Sequence, residues 1–276
     1  MKKIVAIIIS LCLSVSLVII VSADRKEAVR LPIVMYHHIS SKATSLNDYV
    51  ISPEEFRSDM EYLKEQGWQS ISVCELLAWQ RGEFDMPEKP MMISFDDGFL
   101  SVAEYAEPIM KEMGFCGVVA LIGSVCDQYS ESGEADPEWS DLSWEAAGEM
   151  AERGVLELQC HTWDLHSDKY PVGCGRKRGE SIDAYRRRLS EDLSRFLSVS
   201  KKKGLDICYT IAYPYGAFDK STTEIVKDMG FQAAFTCTEE INLLTGKREE
   251  LYYLGRFNRP HGINSEKFFK KWENNY

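Results

Sequence analysis

Two places in the chain gather residue types that do chemistry. In Met91-Met92-Ile93-Ser94-Phe95-Asp96-Asp97-Gly98 a short apolar strand runs straight into two adjacent carboxylates and a glycine. Two acids at a strand end are costly unless they bind a cation or handle a proton. Asp-Gly is also a turn signal, and the stretch alone would be read as a turn. The second place, His161-Thr162-Trp163-Asp164-Leu165-His166, supplies two imidazoles in a chain that has five. Two loop histidines are often no more than solvated, but one carboxylate and two imidazoles together make a three-ligand hydrolytic metal site with an open position.

The histidine spacing says which elements must hold them. Positions i and i+5 lie about 140° apart on a helix of 3.6 residues per turn and on opposite faces of a strand, so the pair cannot share one regular element. The preceding Val155-Leu156-Glu157-Leu158-Gln159-Cys160 reads as a strand, which puts His161 at its end and His166 in the loop beyond. Both candidate ligand groups thus follow strands, at the carboxyl-end rim of a parallel barrel or sheet.

Four segments resemble the polysaccharide deacetylases, the carbohydrate esterase group that removes N-acetyl groups from glycans. They are Ser94-Phe95-Asp96-Asp97-Gly98, His161 to His166, Ala212-Tyr213-Pro214-Tyr215-Gly216, and Pro32-Ile33-Val34-Met35-Tyr36-His37-His38-Ile39. The early Tyr-His-His and the longer His-to-His spacing are most similar to the subgroup acting on poly-N-acetylglucosamine. The resemblance implies a distorted (β/α) barrel of seven or so parallel strands, and one divalent ion, zinc foremost, held by Asp97, His161 and His166. Iron, cobalt or nickel also suits such a mixed ligand set. It further implies Asp96 as general base and the backbone N–H of Tyr215 as donor to the oxyanion. His37 is the implied acid for the departing amine; the rival is His261, in Arg259-Pro260-His261-Gly262. The broad group carries an arginine ahead of the Pro-Tyr-Gly turn, where this chain has Ala212 and Tyr213, so Arg256 is the candidate to pair with Asp96 instead. Tyr36, Trp163, Pro214, Tyr215 and Arg256 are candidates for contact with sugar or acetyl, with core packing the alternative for the aromatic side chains.

An N-acetyl amide needs an activated water, stabilisation of the developing oxyanion and an acid for the amine. Two neighbouring carboxylates cannot both be metal ligands and also leave a base free, which supports dividing the roles between Asp96 and Asp97.

The elements that must position these groups alternate along the chain, as a parallel sheet with crossover helices requires. Strands are expected at 32–39, 90–96, 117–123, 155–160, 207–213 and 231–237. Helices are expected after the capping box Ser52-Pro53-Glu54-Glu55, at 101–113, 143–153, 181–203 and 221–229, and from Ser265. Tyr185, Leu189, Leu193 and Phe196 form one core face of the long helix. Segments 124–142 and 167–180 read as loops after strand ends, where a barrel builds its groove. Arg176, Lys177 and Arg178 in the second read as a solvated basic face.

Met1 to Lys3 are followed by the uncharged apolar run Ile4 to Val21 and by Val21-Ser22-Ala23, so residues 1–23 read equally as a cleaved signal peptide or a retained membrane anchor. Residues 24–276 are then one catalytic domain, secreted or held on the outer face of the membrane, touching it only through the N-terminal segment. The net charge of -11 argues against nucleic acid as a partner. Of eight cysteines, Cys12 lies in the leader, and the remaining seven leave at least one thiol in any disulfide scheme. Cys116, Cys160, Cys208 and Cys237 lie in or beside apolar strand-like runs and read as packed side chains, Cys126 and Cys174 as loop residues. The expected activity is N-deacetylation of an N-acetylglucosamine-containing polysaccharide, a biofilm polymer or peptidoglycan. The alternatives are an esterase for O-acetyl groups of xylan or peptidoglycan and a non-catalytic glycan-binding barrel.

Overall fold

Six consecutive buried residues, Pro90–Phe95, form β6, and a strand apolar on both faces belongs inside a parallel sheet. In the computed structural model, which describes residues 28–273, β6 lies between β2 (Ile33–Tyr36) and β7 (Gly117–Leu121), both parallel to it. The sheet runs on through β8 (Leu156–Cys160), β9 (Ile207–Ala212) and β10 (Ala233–Phe235), and ends on the other side at β12 (Phe257–Asn258). The short β5 (Gln69–Ser70) pairs with the amino end of β6. The strands curl into a distorted (β/α) barrel, as expected.

Alternation along the strands builds two cores. Met91, Ile93 and Phe95 of β6, with Val119 and Leu121 of β7, face the outer helices. These are α1 (Pro53–Glu65), α3 (Glu107–Met113), α5 (Trp144–Glu152), α6 (Ile182–Lys202), α7 (Lys220–Asp228) and α8 (Ser265–Glu273). Tyr185, Leu189, Leu193 and Phe196 of α6 are fully buried, as expected, each gaining about 1.5–3 kcal/mol from burial. Met92, Val118, Ala120 and Ala212 face the barrel interior, where Val73, Leu76, Leu77 and Trp79 of α2 (Val73–Arg81) join them. This helix closes the barrel at the amino ends of the strands, because it follows β5, which pairs with the start of β6.

Both halves of the expected capping box are made: Ser52 Oγ accepts from the Glu55 N–H, and the Glu55 carboxylate accepts from the Ser52 N–H. The helix at 73–81 was not expected, although Ser72 and Glu75 form an identical box there. The strand expected over 32–39 breaks at His37 into β2 and β3 (His38–Ile39), the latter pairing with β4 (Val50–Ile51). The helix expected at 101–113 opens with a π turn, Val102–Ala106, before α3. Segment 124–142 is corrected: Gly123–Ser132 is a helix, α4. Its inward face is Gly123 and Cys126, too small to produce the apolar periodicity that marks a helix. A two-stranded antiparallel ladder, β1 (Val29–Leu31) with β11 (Asn242–Leu244), was also not expected.

Segment 167–180 is a loop and Arg176, Lys177 and Arg178 are exposed. The seven cysteines of the described residues are all free; Cys160 and Cys174 are buried, Cys126 is buried in α4 rather than in a loop, and Cys237 is exposed. The expected leader, 1–23, lies outside the described residues, among which no helix is long and apolar enough to cross a membrane.

Candidate active site

The carboxyl ends of four parallel strands of the one sheet deliver the candidate groups to one rim. Asp96 and Asp97 follow β6, His37 follows β2, His161 follows β8, and Pro214 and Tyr215 follow β9. His37, Asp96, Asp97, His161, His166 and Tyr215 line a common cavity of about 520 Å³. A second cavity of about 540 Å³, lined among others by Tyr129, Asp141, Trp144 and Lys203, contains no comparable set.

Asp97 Oδ1 lies 3.0 Å from His166 Nε2 and 3.4 Å from His161 Nε2. One ligand atom from each of the three residues falls within 4.8 Å of the others. His161 Nδ1 is 2.8 Å from the Ala212 carbonyl oxygen. Donation of an Nδ1–H to that carbonyl fixes the tautomer and turns the Nε2 lone pair toward Asp97. Asp97 Oδ1 is buried and, despite the nearby nitrogens, has no hydrogen bond of good alignment. Three lone-pair donors thus converge with nothing well placed between them, the arrangement a cation satisfies. Burial alone would raise the Asp97 pKa, but its contacts with His161 and His166 hold it well below the usual carboxylate range. Asp97, Thr162 and Tyr215 are the non-glycine residues with positive φ among the described residues, at 71°, 72° and 57°. All three sit at this rim, where such strain is usually stored.

Asp96 is buried and faces Arg256, which is fully buried. The guanidinium donates from Nη1 to Oδ1 at 2.6 Å and from Nη2 to Oδ2 at 2.8 Å, a bidentate pair. Its Nε donates to the Thr236 carbonyl at 3.0 Å, which fixes the fork. Burial pushes the Asp96 pKa up, but Arg256 and His161 outweigh it and bring it below the ordinary value. Arg256 therefore supplies the partner that the missing arginine before Pro214 would otherwise have been.

His37 is half-buried beside Tyr49, ring centroids 5.1 Å apart, and its buried Nδ1 has no hydrogen-bond partner. Burial lowers its pKa, against the opposing pull of Asp96 and Asp97. His38 is bound elsewhere, to Ser101 Oγ at 2.9 Å and the Glu138 carbonyl at 3.1 Å. His261 does not line the cavity; its Nδ1 pairs with Glu55 at 2.8 Å on the surface. Tyr215 is half exposed, and its hydroxyl is 3.4 Å from His166 Nδ1.

Four of the residues expected to contact sugar or acetyl, Tyr36, Trp163, Pro214 and Arg256, are buried and do not line the cavity. Tyr36 is in the core with its hydroxyl donating to Asp59 at 2.9 Å. Trp163 packs under Arg195, Pro214 is buried, and Arg256 is spent on Asp96. The sequence reading misses Tyr49, Cys237 and Asn258 of the cavity wall and the Ala212 carbonyl. A backbone carbonyl leaves no sequence signal, and Tyr49 stands in a loop with no motif around it.

The family model for polysaccharide deacetylases matches residues 84–234, and the chain belongs to that family. It is 25% identical over 223 residues to the poly-beta-1,6-N-acetyl-D-glucosamine N-deacetylase of Escherichia coli (strain K12), covering 74% of this chain and 33% of the relative. The chain thus spans about a third of that relative's length. Among solved structures it resembles IcaB from Ammonifex degensii, with a TM-score of 0.68 and 26% identity over 85% of this chain and 94% of that one. It shares the fold of a de-N-acetylase from Aggregatibacter actinomycetemcomitans, with a TM-score of 0.71 and 24% identity over 89% and 99% of the two chains.

Proposed function

We propose that the chain removes N-acetyl groups from a poly-N-acetylglucosamine type of polysaccharide outside the cytoplasm, with one divalent ion, zinc foremost, held by Asp97, His161 and His166. The observation that carries this is the shared cavity. Three converging ligand atoms, a carboxylate locked by an arginine and the half-buried imidazole of His37 all face it. When bound, the ion would supply Lewis-acid polarisation of the acetyl carbonyl and acidify a water beside it.

The chain's own residues supply the rest. Asp96, held ionised by Arg256, is the base that takes the proton of the attacking water. The Tyr215 N–H, presented by a turn at φ 57°, is the donor to the oxyanion. His37 protonates the leaving amine with a proton balanced by the one the attacking water gives up; burial lowers its pKa, which makes it the stronger acid once charged. Tyr49 and Tyr215, both exposed at the mouth, offer faces on which a pyranose can stack. The polymer is suggested by the names of the relatives, and the N-acetyl group by the presence of a candidate acid.

Asp96→Asn tests the reading, since an amide cannot accept the proton. Turnover on N-acetylglucosamine oligomers should fall roughly 10²–10⁴-fold, the usual worth of a positioned base, with metal content and glycan binding retained. Loss of the metal in Asp96→Asn would reverse the roles of the two aspartates. Chelator-insensitive activity would remove the ion from the proposal.

A further inference from the structure

A second set of ligand-type side chains converges at the opposite end of the barrel. Cys74 lies in the first turn of α2, Glu157 on β8 and Cys208 on β9. One ligand atom of each falls within 4.8 Å of the other two. Donors sharing one tetrahedral zinc at about 2.0–2.3 Å stand about 3.3–3.8 Å apart, so side-chain adjustments of up to about 1 Å bring this set to a common ion.

The frame holding them is rigid. The register pairs Gln159 with Cys208, so Glu157, two residues before Gln159, is the diagonal neighbour of Cys208 on the same face of the sheet. The Glu157 carboxylate is already aimed, accepting from the Val73 N–H at 2.7 Å and the Cys74 N–H at 3.2 Å. Each of its oxygens keeps a lone pair for a cation. Burial, then Glu157, pushes the Cys74 thiol up to about 11, and burial and Glu157 push Cys208 up as well. Two thiols held protonated beside a carboxylate are groups whose balance a cation reverses.

We propose that Cys74, Cys208 and Glu157 form a second, thiolate-rich site for one soft divalent cation of the zinc class, which pins α2, the helix closing the barrel, to β8 and β9. Binding releases the two thiol protons to solvent and forms two metal–sulfur bonds, with no change of oxidation state. The site is structural, since it lies at the amino ends of the strands, away from the deacetylase rim.

The test uses the full chain, reduced, stripped with chelator and titrated with cobalt(II). A thiolate-to-cobalt charge-transfer band in the near ultraviolet is expected in the unmodified protein and in Asp97→Ala/His161→Ala, and is lost in Cys74→Ser/Cys208→Ser. Zinc should raise the thermal midpoint of Asp97→Ala/His161→Ala but not of the same variant carrying Cys74→Ser/Cys208→Ser as well. Should the cysteine variant fold poorly, Glu157→Gln serves, with affinity for the second ion falling about 10–100-fold. No band in the reduced protein, a band that survives loss of both thiols, or a Cys74–Cys208 disulfide in the protein as isolated would each overturn the site. Because the band reads sulfur ligation alone, it stands or falls separately from the deacetylase reading.

Discussion

At the residue scale, adjacency is what made the rim legible. Asp96-Asp97-Gly98 and His161 to His166 each sit where an apolar run stops, so their placement at strand ends followed from the pattern of their neighbours. Exposure was not written in residue type: Tyr36 and Trp163 are as aromatic as Tyr49, yet they are buried and Tyr49 is open. Surroundings likewise separate His37 from His261. His37 lines the cavity and has an unpartnered Nδ1, whereas His261 is committed to Glu55 at the surface. His37→Ala should therefore reduce N-deacetylation about 10²-fold or more, yet spare hydrolysis of an activated aryl acetate, whose phenolate leaves without a proton. His261→Ala should change neither rate. Parallel kinetics on the two substrates check this, and the opposite pattern would make the late histidine the acid.

At the element scale, helices announced themselves when large apolar residues recur and a cap precedes them, as at Ser52 and along α6. α4 does neither: its first residue is Gly123 and its N-cap is Ile122, with no side-chain cap. The reason for the glycine lies across the interface. A Cβ there would stand 2.5 Å from Cε3 of Trp163 and 3.0 Å from Cδ2 of Phe196. Trp163 lies between the two histidines in the chain, and its backbone N–H donates to Asp192 Oδ1 at 2.8 Å. The small start of α4 thus sets the position of the segment that carries both imidazoles. Gly123→Ala should overpack this contact at a cost of about 1–3 kcal/mol and also weaken metal binding. Thermal unfolding and a metal titration read the two effects. A destabilised variant with unchanged metal affinity would show that α4 does not position the histidines.

At the scale of the whole molecule, what the sequence withheld was the joining of its ends. β12 is two residues long and carries no periodicity, yet it extends the sheet beyond β2, and Arg259 just after it reaches back about two hundred positions to Asp59 on α1. Arg259 donates from Nε to Asp59 Oδ2 at 2.8 Å and from Nη2 to Oδ1 at 3.0 Å, while Ser265 and Tyr36 donate to the same carboxylate. One buried anion thereby ties together α1, β2, the chain after β12 and the start of α8. Asp59→Ala strands the Arg259 charge in the core, where an uncompensated ion costs about 3–5 kcal/mol. Arg259→Ala strands the carboxylate and should cost about the same. If the pair acts as one unit, the two losses are not additive, and Asp59→Leu/Arg259→Met should recover most of the stability. Urea unfolding of the four proteins measures this coupling. Single substitutions costing less than about 1 kcal/mol each would mean that the barrel is closed by its apolar layers alone.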